Sequence, residues 1–376
     1  MKTQVLVIGG GFAGLSTALR LAERGMKDVV VIEQEKALGG HASGRNAGMI
    51  RQSVADPFLA ALAREGRDLL KRRKFFIESG SLLLAKGRSG AELDQIEQAM
   101  KEAGVKSKRL PCQRAVSRVP LLEGADFEEA LFTPTDGLVD IEALLKYLLS
   151  RLKHFQIPVI CGSGVTGIGK EGNVFEVRTG KRILFCEKLV NAAGAWAGIL
   201  GDKAGAFQVS FKAYRRHLFL SRPLRGVKRD WPFVWDLSHQ LYFRPVKGSL
   251  LLSPCDKALF SLEANQAKIP GEKTDPQIRE ELNLKLKNFF PDFKKVKLVS
   301  VKAGLRTMVR DGRFVVGEDK TLKGFFWVAG LGGHGVTTCL SVGELAARFI
   351  LGKKVDGALK EAFSPGRFKE EYAPAC

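Results

Sequence analysis

Short unbroken apolar runs alternate with helically spaced stretches at the start of this chain. Val5-Leu6-Val7-Ile8 and Val29-Val30-Val31-Ile32 are two such runs, the pattern of parallel strands buried on both faces. Helical spacing begins near Phe12 between them, so the opening predicts strand, helix, strand. A second helix is expected over 57–76, a strand over 80–85 and an exposed helix over 91–103. Thr133-Pro134-Thr135-Asp136-Gly137 is turn chemistry, and Asp140 suits the N-cap of a helix reaching about residue 155. Short strands with glycine turns follow over 159–177. A strand over 184–190 runs into Asn191-Ala192-Ala193-Gly194-Ala195-Trp196. From 208 to 254 the pattern becomes antiparallel and aromatic: Leu218-Phe219-Leu220, Leu241-Tyr242-Phe243, Leu250-Leu251-Leu252. A helix is expected over 276–290. Phe325-Phe326-Trp327-Val328-Ala329 reads as a buried strand that enters a last helix, ending near 351, through glycines. The fold class expected is α/β. A Rossmann-like nucleotide domain (1–78, 140–206 and 300–376) is interrupted by an α+β substrate domain with a mainly antiparallel sheet (79–139 and 207–299).

The glycines carry the first chemistry. Gly9 permits a tight turn, Gly11 lets a pyrophosphate approach the backbone, and Gly14 lets the helix pack on the strand. That helix aims its first amides and positive dipole end at the phosphate. Glu33 closes the second strand about 20 residues on, where a carboxylate accepts ribose hydroxyls. An acid here, and not Arg, argues against a 2′-phosphate. A lone glycine motif is weak; strand, glycines, helix, strand and acid in order favour dinucleotide binding over a structural turn. The loop Leu38-Gly39-Gly40-His41-Ala42-Ser43-Gly44-Arg45-Asn46-Ala47-Gly48-Met49 has no hydrophobic period. It should be ordered by a ligand or by close backbone contacts. The small residues of 191–196 let the backbone approach a ligand or a neighbouring strand, and both readings stay open. Gly330-Leu331-Gly332-Gly333-His334-Gly335, followed by Val336-Thr337-Thr338, prepares a second helix N-terminus as an anion site. A flavin needs one, because reduction places negative charge at its N1/C2=O side; a nicotinamide does not.

Composition changes this picture little, and charge more. At 376 residues, 45% hydrophobic and 27% charged, the chain suits a two-domain globular protein. No apolar run is long enough to span a bilayer. A cleaved signal would remove the first strand, so the expected place is cytoplasmic. The six cysteines, Cys112, Cys161, Cys186, Cys255, Cys339 and Cys376, show no CxxC pair and no metal-like spacing with histidine. No metal is expected, and the thiols are expected reduced and mostly buried. The net charge of +20 is spread over basic runs at 71–74, 106–109, 222–229 and 294–297. A solvated basic surface is favoured. Peripheral contact with anionic lipid at the inner face of the membrane, or with nucleic acid, stays open.

Four motifs in order, Gly9 to Gly14, Ser43 to Gly48, Asn191 to Trp196 and Gly332 to Gly335, resemble the D-amino-acid oxidase superfamily of FAD enzymes, which includes glycine and sarcosine oxidases and D-amino-acid dehydrogenases. The nearest likeness is to D-arginine dehydrogenase-type enzymes, through Asp230-Trp231-Pro232, Leu241-Tyr242, Ala303-Gly304-Leu305-Arg306 and Gly324 to Ala329. The resemblance implies an FAD-binding domain of the glutathione-reductase type. It places Gly9, Gly11, Phe12, Ala13, Gly14, Glu33, Gln34, His41, Ser43, Gly44, Arg45, Asn46, Ala47 and Gly48 along the cofactor, and Val165 at the adenine through its backbone. It adds Ala192, Gly194, Trp196 and Gly304 to that set, with Gly332, Gly333, His334, Gly335, Val336 and Thr337 on the pyrimidine side. Arg306 would clamp the substrate carboxylate, Tyr242 would bond the same group, and Arg216 or its neighbour Arg215 would assist. Ser81 stands where the D-arginine enzyme has an acid, Met49 where it has a catalytic-site His, and Val54 where it has a lid Tyr. A neutral side chain is therefore favoured over a cationic one. No Cys near Arg306 offers covalent attachment, so FAD is expected noncovalent.

The chemistry so read is amine oxidation. Neutral amine and Cα–H must be held near flavin N5, an Arg fork suits the carboxylate, and the flavin takes the hydride. The imine then hydrolyses to a 2-oxo acid. Oxygen or a quinone is the expected final acceptor. Two alternatives remain: a 2-hydroxyacid or polyol-phosphate dehydrogenase on the same fold, and an oxidase acting on a glycine-like group of modified tRNA.

Overall fold

The computed structural model describes residues 1–262, 275–290 and 296–368. Lys2–Ile8 lies between Val29–Ile32 and Ile183–Asn191, parallel to both. Ile183–Asn191 also pairs in parallel with Phe325–Ala329, and Val29–Ile32 with Val159–Ile160. Val165–Glu171, Val174–Thr179 and Val315–Glu318 extend this eight-stranded sheet in antiparallel fashion. The apolar run 5–8 is explained by its two buried faces. Val5 and Val7 join the core beneath the helices Phe12–Glu23, Ile141–His154 and Gly335–Ile350; Leu6 and Ile8 join the core on the other side. Each such side chain contributes about 1.5–3 kcal/mol. Asp140 caps its helix as expected, accepting from the Ala143 amide at 3.0 Å.

The second sheet has nine strands. Ser81–Ala85 is parallel to Phe233–Asp236 and antiparallel to Glu129–Thr133. The aromatic run resolves into Lys212–Ser221, Phe233–Asp236, Leu241–Val246 and Ser249–Ser253. An eleven-residue strand, Leu298–Met308, pairs along Lys212–Ser221 with Tyr214 opposite Arg306 and Arg216 opposite Gly304. The boundary expected at 300 therefore runs through a strand, and residues 298–308 go with the second sheet.

A small third sheet joins Met49–Ile50, Gly137–Val139 and Phe76–Ile77. It corrects the helix expected over 57–76. The helix is Pro57–Leu70; four exposed cations follow at 71–74, and Phe76–Ile77 pairs with Gly137–Val139. The helix expected to be exposed over 91–103 is Ser89–Glu102, and it buries Leu93, Ile96, Ala99 and Met100. Cys186, Cys255 and Cys339 are buried and Cys112 and Cys161 half-buried, all free; Cys376, Lys294 and Lys295 lie outside the described residues. Among the described residues no helix is long and apolar enough to cross a membrane.

Candidate active site

The turn after the first strand is shaped by contacts that only hydrogen allows. A Cβ on Gly14 would lie 1.9 Å from the Gly9 carbonyl oxygen, and one on Gly9, at φ +115°, 2.3 Å from the Ala192 oxygen. A Cβ on Gly11 meets only Ser43 Oγ, at 3.0 Å. So Gly9 and Gly14 bring strand, helix and the 191–196 segment together, while Gly11 faces open space.

That space is a groove in two connected halves, both touching Gly11, Ala42, Ser43, Ala192 and Gly194. The first half runs past Gly9 to Glu33, Gln34, His41, Val165 and Trp196. Glu33 is held by the Gly10 amide at 2.8 Å and the Glu35 amide at 2.9 Å, and each oxygen keeps a further acceptor site. His41 bonds Glu35 at 3.0 Å and meets the Trp196 ring edge-on at 4.7 Å. The loop after Gly39 orders itself. Asn46 donates to the Ser43 carbonyl at 2.7 Å and accepts from the Gly48 amide at 2.8 Å, Arg45 donates to the Gly40 carbonyl at 2.7 Å, and Ser43 Oγ accepts from the Phe12 amide at 2.9 Å. Gly44 does not line the groove; its place is against the Gly39 carbonyl.

The second half is lined by Phe12, Ala13, Arg45, Asn46, Ala47, Gly48 and Met49, and ends at Gly304, Gly332, Gly333, Gly335 and Val336. The Gly335–Ile350 helix starts here, and its first amides have no partner within the helix. Thr337 is turned away: its hydroxyl accepts from the Arg51 amide and donates to the Met49 carbonyl. A helix rotates about 100° per residue, so Thr337 cannot share the face of Gly335. His334 also lies off the lining, and burial holds its imidazole well below the ordinary range, with Arg51 and Arg306 adding to this.

The second sheet supplies the outer wall. Arg216 and Leu218 alternate onto it from one strand, Gly304 and Arg306 from the next, and Tyr242 from a third. Arg306 lies against Gly333, where a Cβ would come 3.0 Å from its Nη1. Tyr242 is fully buried, its hydroxyl has no partner among the described residues, and its ring stacks on Trp235 at 4.6 Å. Arg216 donates from Nε to the Asp256 main-chain oxygen at 2.7 Å, while its buried Nη1 likewise has no partner among them. Asp256 is taken by His217, amide and ring, at 2.9 and 2.7 Å. Burial pushes the Asp256 carboxyl up, but these bonds outweigh it and hold it below the usual range. Arg215 points elsewhere, over the Phe260 ring. Neither Ser81 nor Val54 lines the groove; Ser81 is fully buried and donates to Asp136 at 2.7 Å, and Val54 packs in the core.

Three residues of this region went unassigned in the sequence: Arg51, Trp235 and Asp136. Arg51 lies over the Trp235 ring at 4.1 Å. It follows closely on the lining run of residues 45–49, and nothing in its own sequence neighbourhood marks it. Burial and the Arg306 charge draw the Arg51 guanidinium down to about 10. Burial, then the Arg216 charge, lowers Arg306.

Asp136 is fully buried and accepts from the Gln52 amide at 2.9 Å, Gln52 Nε2 at 2.8 Å and Ser81. Burial still pushes its carboxyl from 3.8 up to about 6. A raised carboxyl binds more protons folded than unfolded, so its contribution to stability is full in acid and is lost as pH rises through about 6. In Asp136→Asn this slope disappears. The stability of the variant relative to the parent will rise across that window and be flat above it, measured by denaturant unfolding at stepped pH. Parallel curves for the two proteins would contradict the assignment.

The groove thus offers a dinucleotide two helix N-termini, an acid at one end and a guanidinium-lined pocket at the other. The chain is similar over nearly its full length to several known proteins. It is 24% identical over 363 residues to the mitochondrial pyruvate dehydrogenase phosphatase regulatory subunit of Mus musculus, covering 93% of this chain and 41% of that protein. It is 24% identical over 374 residues to the mitochondrial dimethylglycine dehydrogenase of Homo sapiens, covering 93% and 42%. The chain therefore spans about two fifths of these relatives' length. Among solved structures, L-proline dehydrogenase from P. horikoshii superposes with a TM-score of 0.86 at 23% identity, covering 96% of both chains. Glycine oxidase from Geobacillus kaustophilus gives 0.80 at 22%, covering 98% and 99%. The family profile described as FAD dependent oxidoreductase, DAO, matches residues 4–349, so the chain belongs to the DAO family of FAD-dependent oxidoreductases.

Proposed function

We propose that this chain oxidises the C–N bond of an amino acid or small secondary amine. The observation that carries this reading is Arg306: a guanidinium with no ion pair or hydrogen bond among the described residues, beside the partnerless Tyr242 hydroxyl, at the end of the groove where Gly332 to Val336 lie. A carboxylate fills both needs, taking two parallel bonds from Arg306 and one from Tyr242. Gly11, Ser43 and the first amides of the Phe12–Glu23 helix would hold the pyrophosphate of FAD, Glu33 the ribose, and the Gly335–Ile350 helix start the pyrimidine edge. When bound, FAD would supply the two-electron acceptor for the Cα hydride, with the amine lone pair closing the C=N bond. Arg306 and Tyr242 fix the α-carbon so that this hydrogen faces the cofactor. Water then adds to the imine carbon, releasing ammonia or an amine and leaving a 2-oxo acid. Oxygen or a quinone would carry the electrons away.

The relatives named as dimethylglycine dehydrogenase and glycine oxidase support a small amine substrate. The test is anaerobic mixing of the yellow protein with D- and L-amino acids, glycine, sarcosine and 2-hydroxy acids. Bleaching by an amine supports the proposal; bleaching by hydroxy acids alone overturns it. Tyr242→Phe separates binding from folding. Losing a buried, unsatisfied hydroxyl will raise the melting temperature slightly or leave it unchanged, while kcat/KM falls roughly 10-fold for one lost bond to a charged group. A fall in both would mean that the hydroxyl is structural.

A further inference from the structure

Four arginines, Arg45, Arg51, Arg216 and Arg306, line one cavity, and among the described residues no Asp or Glu lines it with them. Arg45 turns its Nε to the Gly40 carbonyl, and of the other three, Arg51 and Arg306 have no carboxylate of their own among those residues. Arg306 has no partner among the described residues, and Arg51 rests on the Trp235 indole. Arg216 is paired with Asp256, its Nε 3.9 Å from an oxygen of the carboxylate that His217 also bonds. The other nearby acid, Asp136, accepts from Gln52 and Ser81 and forms no ion pair among the described residues. The two unpaired guanidiniums share a desolvated space and repel one another, and an uncompensated buried charge is strongly destabilising. The missing anions come with what binds. A monocarboxylic amino acid brings one negative charge against these two positive ones.

We propose that the preferred substrate is an amine carrying two carboxylates, an amino or imino dicarboxylic acid. One carboxylate is held by Arg306 and Tyr242, and the second by Arg51 on the Trp235 face. This rests on the amine-oxidation reading above and replaces the neutral side chain expected from Ser81, Met49 and Val54. Arg51 is suited to the task. Its guanidinium carbon lies 4.1 Å from the Trp235 ring centroid, a contact that leaves its N–H groups available for bidentate bonding and limits the entropy lost when a ligand arrives. The second carboxylate takes no part in bond making; the oxidation is the one described above.

The test compares substrates matched in length but differing in one carboxylate: aspartate with 2-aminobutyrate and glutamate with norvaline, in both enantiomers, and iminodiacetate with sarcosine. With the FAD-loaded protein, anaerobic flavin reduction will favour the dicarboxylate of the accepted pair by roughly 10²-fold or more in second-order rate constant. In Arg51→Gln that preference narrows at least about 10-fold, because the dicarboxylate loses more than its partner. Equal rates for both members, or an unchanged preference in the variant, overturns the inference while leaving amine oxidation intact. If no amine reduces the flavin, the oxidation reading fails, and binding decides the inference separately. Glutarate quenching tryptophan fluorescence at far lower concentration than butyrate supports two anion sites; equal concentrations overturn them.

Discussion

Arg306→Met will give a folded, yellow protein whose kcat/KM for its amine substrate is lower by roughly 10²- to 10³-fold, a loss on the order of 3–4 kcal/mol. The size follows from what the guanidinium does. Arg306 lies in the cavity without a partner among the described residues, and burial disfavours its charge, with Arg216 adding repulsion. Removing it therefore relieves a cost in the free protein and removes a gain in the complex. The melting temperature of the variant should match or exceed that of the parent, which separates Arg306 from an ordinary structural ion pair. Flavin content will be unchanged if the side chain serves the substrate alone. Steady-state kinetics with single-turnover flavin reduction checks this; an unchanged kcat/KM removes Arg306 from the substrate site.

Gly14→Ala will yield protein that holds little or no FAD. The added carbon would lie 1.9 Å from the Gly9 carbonyl oxygen and 3.2 Å from Val7 Cγ1. The first of these is backbone, so no side-chain rotation relieves it. The helix must lift off the strand, and this displaces the amides proposed to hold the pyrophosphate. Overpacking at backbone costs about 1–3 kcal/mol or more, and the cofactor's own stabilisation is lost in addition. The flavin-to-protein absorbance ratio and the melting temperature read both effects. Full flavin occupancy at an unchanged melting temperature would contradict the close crossing of helix and strand.

Much of the cofactor half of the groove was legible because its signals are local. The runs 5–8 and 29–32 are apolar because both faces are covered, and the glycines stand where backbone meets backbone. The substrate half was less legible. Leu298–Met308 does carry a strand signal, Val301, Ala303 and Leu305 alternating with Ser300, Lys302, Gly304 and Arg306, but Gly304 lowers its propensity and no strand was expected there. Its partner, Lys212–Ser221, is distant in sequence, and the pairing leaves no mark in either segment alone. Asp136 carries turn chemistry and sits in a turn, yet its burial comes from Gln52 and Ser81, both distant in sequence. Thr337 and His334 were assigned with their glycine neighbours, but one turn of helix divides a lining face from a packing face. Which side of the Asn191–Trp196 segment meets a ligand was open in sequence; Ala192 contacts Gly9 through its carbonyl while Ala192 and Gly194 also border the groove.

The first strand has consequences for how the chain is made. Lys2–Ile8 is synthesised well before the rest of its sheet, since one of its two parallel neighbours is Ile183–Asn191, and that neighbour is in turn closed by Phe325–Ala329. Pairings so distant must meet the entropy of closing long loops before any contact rewards them, which slows folding. The turn from Gly9 to Gly14 has no finished surroundings until Phe325–Ala329 has been synthesised. Until then a valine-rich strand is left with an open edge, the kind of surface that recruits chaperones or other unfinished chains.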